Sequence, residues 1–174
     1  LSELSQKRRC TLTTSGMGFI FQTPGAAFNP IRSYKKQFIE TLKSHDKYDA
    51  KSFLPSIKDV FSRLGLQDCE RILASCPYEM SGGMNQRIAL ALVILMQQKL
   101  LLADEPTGAL DYKTSKEILD LIERVNKKYG NTVILVTHND AIKRMADRVI
   151  RLRDGAIRSD EENTEKLSAM QLDW

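Results

Sequence analysis

Two adjacent carboxylates, Asp104 and Glu105, close the apolar run Leu100-Leu101-Leu102-Ala103. Asp104 is a hard oxygen ligand, suited to Mg2+ held directly or through water. Glu105, one residue on, points to the other side of an extended chain and can orient or deprotonate a water. Gln22 follows the apolar, glycine-punctuated stretch Gly16–Phe21, and its carboxamide can touch both a metal and a water. His138 follows a third apolar run, Thr132–Thr137, and can hydrogen-bond a phosphate oxygen. Upstream, Ser81-Gly82-Gly83 precedes the apolar segment Ile88–Met96. Ser81 can cap a helix there, and the two glycines let a ligand approach the backbone amides at its N-terminus, an anion site.

These groups need elements to hold them. Leu100–Ala103 and Thr132–Thr137 carry no polar alternation, which predicts strands buried on both faces, as in parallel sheets. Pro24 cannot continue a ladder and Gly25 permits a turn, so Gln22 sits at the carboxyl end of its strand. Ligands bind at such ends in open parallel sheets, and three ends along one edge could converge on one ligand. From Pro30 the spacing turns helical, with Ile31, Tyr34, Phe38 and Leu42 on one face. Phe53, Ile57, Val60, Phe61 and Leu64 predict a second helix over 52–64, with Gly65 beyond its end. A short helix and a loop ended by Pro77 complete a small helical subdomain. Asp111 precedes a helix striped by Ile118, Leu121, Ile122, Val125 and Tyr129 and stopped by Gly130. Asp154-Gly155 is a hairpin signal after Val149–Arg153, and residues 159–174 read as a charged tail, helical at best in part. Residues 1–15 are polar, with a short helix possible over Leu1–Arg9.

The chain's 174 residues suit one domain, and 42% hydrophobic with 28% charged residues is ordinary for a globular protein. The net charge of +4 is scattered; Lys7-Arg8-Arg9 is the one basic run and reads as a solvated terminus, so no nucleic-acid stripe is visible. Cys10, Cys69 and Cys76 form no Cys-x-x-Cys pair, which argues against a disulfide framework or a zinc site and fits a reducing compartment. Ile88–Met96, the longest apolar run, is about half the length of a membrane-spanning helix, so a membrane role would come through a partner. His45, Trp174 and the Asp160-Glu161-Glu162 run suggest no chemistry.

Taken together, the motifs resemble the nucleotide-binding domain of the ATP-binding cassette (ABC) family. Phe21-Gln22 is similar to its Q-loop, Ser81-Gly82-Gly83-Met84-Asn85-Gln86-Arg87 to its signature, and Leu100–Glu105 to its Walker B strand. Ala109-Leu110-Asp111 matches the D-loop and Thr137-His138 the H-loop, all in the family's order over about residues 1–158. The resemblance implies an α/β P-loop NTPase (RecA-like) fold, a parallel-sheet core with an inserted α-helical subdomain. Its parts would be 16–29 for the Gln22 strand and loop, 30–79 for the helical subdomain, 80–158 for the core from the signature onward, and 159–174 for the tail. It further implies ATP and Mg2+ as cofactors, with hydrolysis coupled to transport. Glu105 would position the attacking water, His138 would contact the γ-phosphate, and Asp104 with Gln22 would hold the metal. Ser81, Gly82, Gly83, Gln86, Asp111 and Gln22 would form the nucleotide-binding set, with Ser81 and Gly83 reaching the nucleotide of a second, homo- or heterodimeric subunit. Membrane-spanning partners would place the protein on the cytoplasmic face of the membrane as a peripheral subunit.

Departures refine this picture. Met80 and Met84 stand where the family signature has Leu and Gln. Phe21-Gln22-Thr23-Pro24 with Asn29-Pro30 resembles peptide- and nickel-type importers, whereas Thr107–Asp111 and Ala146–Val149 resemble lipoprotein-release and macrolide-export ATPases. The reading favours the import group. No Gly-x-x-x-x-Gly-Lys-[Ser/Thr] occurs, and the chain begins at Leu1. The expectation is an incomplete copy without the first strands and the P-loop, with weak Mg-ATP binding, no turnover alone, and a bare hydrophobic edge beside the His138 strand. The alternatives are a truncated or degenerate cassette lending its Ser81 face to a complete partner, and a soluble repair or translation ATPase. Absence of a heptad run or second signature weakens the last.

Overall fold

The computed structural model describes residue 5 and residues 16–173; Cys10, the 7–9 basic run and the possible helix over 1–9 lie essentially outside them. Three parallel strands, β1 (Met17–Ile20), β2 (Leu100–Asp104) and β3 (Thr132–Val136), pair in the order β1-β2-β3. In register, Ile20 lies beside Ala103 and Ala103 beside Leu135, so the carboxyl ends of all three strands share one edge. That edge gathers Gln22, Asp104-Glu105 and His138.

Between β1 and β2 come four α-helices: α1 (Tyr34–Ser44), α2 (Phe53–Arg63), α3 (Cys69–Ala74) and α4 (Gly82–Met96). Tyr34, Phe38 and Leu42 line the buried face of α1, and Phe53, Ile57, Val60 and Phe61 that of α2. Helix α1 begins later than the spacing from Pro30 suggests. The Asn29 side chain accepts from the Ile31 amide at 3.2 Å, which holds 29–31 in a turn and leaves Ile31 79% exposed. Gly65, with φ +70°, takes the left-handed position after α2.

Helix α4 is apolar nearly all round and is buried on most sides. It ends at Gln97, which adopts the left-handed conformation (φ 53°) that glycine usually supplies. The amphipathic helix α5 (Tyr112–Tyr129) connects β2 to β3 and stops at Gly130, φ +63°. Ile20, Leu101 and Ala103 meet the buried faces of α4 and α5 in one core, with Val133 and Leu135 packed on it. After β3, a single turn of 3-10 helix (Ile142–Met145) leads to an antiparallel hairpin, β4 (Arg148–Arg153) and β5 (Ala156–Glu162). Asp154 and Gly155 both have positive φ, 52° and 74°, as a type I′ turn requires.

Two expectations are corrected. Residues 156–162, partly assigned to the tail, form β5, held to β4 by the ladder and by the Arg148–Asp160 ion pair at 2.5 Å. And the strands are buried on one face rather than two. Phe19 is 43%, Ile134 48% and Val136 56% exposed, with Leu100 and Leu102 half-buried between them. Among the described residues nothing covers this apolar face, and β3 is an edge strand, as expected from the sequence.

Candidate functional site

The β2 strand ends in a sharp change of direction at Glu105, whose φ of +43° is sterically unfavourable for a residue with a Cβ. Its amide donates to the Val136 carbonyl at 2.9 Å and its carbonyl accepts from Gly108 at 3.0 Å, so the turn is held from both sides. This geometry points the carboxylate at the end of β3. One oxygen accepts from the His138 amide at 2.7 Å and contacts His138 Nδ1 at 2.6 Å; the other accepts from the Thr137 hydroxyl at 3.2 Å. Burial pushes the Glu105 carboxyl up, but the bonds from His138 and Thr137 outweigh it and hold the group below its ordinary range. Glu105 is therefore ionised at neutral pH, an acceptor able to orient water. The His138 ring is 85% exposed. With Nδ1–H donating to Glu105, a neutral ring leaves Nε2 an acceptor, and only the imidazolium can donate from Nε2 to an anionic oxygen.

Gln22 is exposed just beyond β1, and its carboxamide lies on Gly108: a Cβ there would come within 2.7 Å of Gln22 Nε2. Gln22 thus meets the turn that carries Glu105. Asp104, at the exposed end of β2, completes the cluster. No group of three or more His, Cys, Asp or Glu among the described residues could hold a metal by itself. The donor set still fits Mg2+, which binds through one or two oxygen ligands and fills its shell with water and phosphate.

The Ser81 loop forms a second cluster. Ser81 caps α4, its hydroxyl accepting from the Met84 amide at 3.3 Å. A Cβ on Gly82 would lie 3.5 Å from Leu110, and one on Gly83 only 2.7 Å from the Thr114 methyl. The contacts of these glycines are therefore with 109–114, and not with Glu105 or His138. Asp111 caps α5, its two oxygens accepting from the Thr114 amide at 3.0 Å and hydroxyl at 2.6 Å. Those two bonds lower its pKa. This is a structural duty that the expected nucleotide contact did not foresee.

Gln86 needs a correction. It is 1% exposed and cannot touch a nucleotide; its Nε2 donates to the Pro106 carbonyl at 2.6 Å and the Phe21 carbonyl at 3.3 Å. Sequence reasoning also missed Gly108 and treated Thr137 only as part of a motif. Thr137, a polar residue ending an apolar strand beside His138, carried a readable signal; Gly108 carried none beyond its turn.

The family model for "ABC transporter" matches residues 2–108. The chain belongs to the ABC transporter family. Its curated relatives include the metal-staphylopine import system ATP-binding protein CntD of Staphylococcus aureus, 33% identical over 155 residues, covering 88% of this chain and 57% of the relative. The oligopeptide transport ATP-binding protein OppD of Lactococcus lactis is 36% identical over 144 residues, covering 82% and 43%. The chain spans about half the length of the curated relatives it matches. The ATP-binding cassette MJ0796, solved as a dimer in a post-hydrolysis state with ADP and Pi, superposes with a TM-score of 0.75 at 27% identity, covering 92% of this chain and 68% of that one. The fold of this ABC chain is accordingly the α/β P-loop NTPase cassette. None of its described helices is long and apolar enough to cross a membrane.

Proposed function

We propose that this chain is part of the ATP-binding and hydrolysing subunit of an ABC transporter of the peptide- or metal-import kind. The observation that carries the reading is the Glu105–His138 pair at the carboxyl edge of the sheet, with Gln22 resting on the same turn. Glu105 orients and deprotonates a water; His138 holds Glu105 through its amide and presents its ring to the γ-phosphate. Asp104 and Gln22 hold Mg2+, which supplies charge neutralisation on the phosphates when bound. Ser81 and the Gly82-Gly83 amides, at the start of a 15-residue helix and beside 109–114 rather than this pair, serve the nucleotide of a second subunit. Membrane-spanning subunits would hold the assembly at the cytoplasmic face. CntD and OppD, named for metal-staphylopine import and oligopeptide transport, favour import over export.

The test is phosphate release by the transporter complex purified from its source. Glu105→Gln should keep ATP binding and lower turnover at least a hundredfold, the order of a lost general base. A Glu105→Gln complex hydrolysing at the wild-type rate would refute the role. The 174 residues alone, without a Gly-x-x-x-x-Gly-Lys loop, should bind Mg-ATP weakly and not turn it over; micromolar affinity with turnover lost on Glu105→Gln would overturn that. A second reading, in which the chain lends only its Ser81 face to a complete partner, is favoured by the separation of the two clusters. It predicts that Ser81→Ala impairs the complex and Glu105→Gln does not.

A further inference from the structure

Gln86 is buried, polar and unused by the chemistry above. It lies one turn into α4 and reaches the backbone on either side of it: Phe21 O, immediately before Gln22, and Pro106 O, immediately after Glu105. No other described side chain is shown to bond both segments. We propose that Gln86 is a positioning residue. Its carboxamide sets the spacing between the Gln22 loop and the Glu105 turn, and ties both to the helix that carries Ser81. The role in hydrolysis rests on the function proposed above; the clamp itself does not.

Three features support the assignment. The two bonds need both protons of one –NH2 group, which only Asn and Gln supply as a neutral, planar donor pair, and Asn is a methylene shorter. The orientation of the amide is settled by its partners, since turning it over would set Oε1 against two carbonyls. The remaining atom, Oε1, is buried without a partner, a desolvation cost that an apolar residue of the same shape would avoid. A polar side chain kept there at that cost is explained by the two bonds on its other end. Beyond them, the Gln22 side chain lies against Gly108, so the two segments touch on the solvent side as well.

The experiment uses the isotope-labelled full chain and reads hydrogen exchange by NMR. In the wild type, the Gln86 carboxamide protons should exchange at least tenfold more slowly than those of an exposed glutamine such as Gln67. In Gln86→Met, amide exchange should rise at least tenfold over 21–23 and at 105, 107 and 108, and stay within twofold in α2 and the second half of α5. A Gln86 carboxamide exchanging as fast as an exposed one overturns the clamp, whether or not the variant folds. So does unchanged exchange at both segments, or an equal rise everywhere, the mark of general destabilisation. These readouts need no nucleotide. A confirmed clamp beside an active Glu105→Gln complex would sink the hydrolytic reading alone, and the reverse result would sink the clamp alone.

Discussion

Gly18, in the middle of β1, packs against α4 with no room for a side chain. A Cβ there would lie 2.6 Å from Val93 Cγ1, 3.0 Å from Cγ2 and 3.3 Å from Cβ. Val93 is 6% exposed and β-branched, and in a helix such a side chain has one strongly preferred χ1, so it cannot swing aside. Gly18→Ala should therefore behave as an overpacking substitution, costing about 1–3 kcal/mol. Val93→Ala alone removes two methyl groups, about 0.8 kcal/mol each plus a cavity contribution, hence about 2 kcal/mol. In the Val93→Ala background the two closest contacts are gone and only the Cβ at 3.3 Å remains, while alanine in a strand is better than glycine by about 0.5–1 kcal/mol. There Gly18→Ala should be neutral or stabilising. The double variant should thus be more stable than the sum of single costs by about 1–3 kcal/mol. Urea denaturation followed by circular dichroism on the four proteins of the cycle measures this. If the two costs add to within about 0.5 kcal/mol, the expected limit for independent sites, the steric account of Gly18 is wrong. The strand so placed is the one that delivers Gln22.

Two other outcomes follow from the structure. Glu123, 9% exposed, accepts from the Ala169 amide at 3.0 Å and from Lys127 at 2.6 Å, docking the segment whose Ala169 and Leu172 pack on Leu119 and Ile142. Burial pushes its carboxyl up, but the Ala169 and Lys127 bonds outweigh it and hold it below its ordinary 4.5. A depressed folded-state value means the stabilisation is complete above the ordinary value and is lost as pH falls below it. The urea midpoint should drop below about pH 4.5 more steeply in the wild type than in Glu123→Gln; equal slopes would count against this. The face of Phe19, Ile134 and Val136, exposed among the described residues, should make the 174 residues aggregation-prone. Ile134→Thr with Val136→Thr should reduce light scattering on heating, and a sharp monomeric melt above about 60 °C, beyond most mesophile domains, would contradict the picture.

Much of this was legible because local chemistry and tertiary structure agree. Ser81 reads as a helix cap and Asp111 as the residue before a helix, and each side chain accepts from an amide three residues on. The apolar runs ending on Asp104-Glu105 and before His138 read as parallel strands, and their register sets Asp104 beside Val136. What failed was decided by pairing partners. Residues 156–162 carry Ile157 as their one large hydrophobe and three acids, so no pattern marks a strand; the ladder with β4 makes it one. The face exposed by Phe19 and Ile134 could not be told from a covered one, because an all-apolar strand reads the same in both cases.

Gln86 shows the same limit at the site. Three consecutive residues of α4 look alike on paper, polar and next to an anion-binding loop. A helix turns about 100° per residue, so each faces a different neighbour. Asn85 bonds the Tyr34 hydroxyl of α1 and the Pro77 carbonyl, Gln86 bonds Phe21 and Pro106, and Arg87 bonds the Leu64 carbonyl at 2.7 Å and Glu117 of α5. All-round burial of α4 was readable from its composition; that its polar residues would satisfy backbone carbonyls on three sides follows from that burial, since a buried amide or guanidinium without a partner is costly. A helix anchored this way is bonded at once to the Gln22 loop, the Glu105 turn and the end of α2. The Ser81 end of α4 and the Glu105–His138 pair, though they share no contact of their own, are therefore linked through the side-chain bonds of α4.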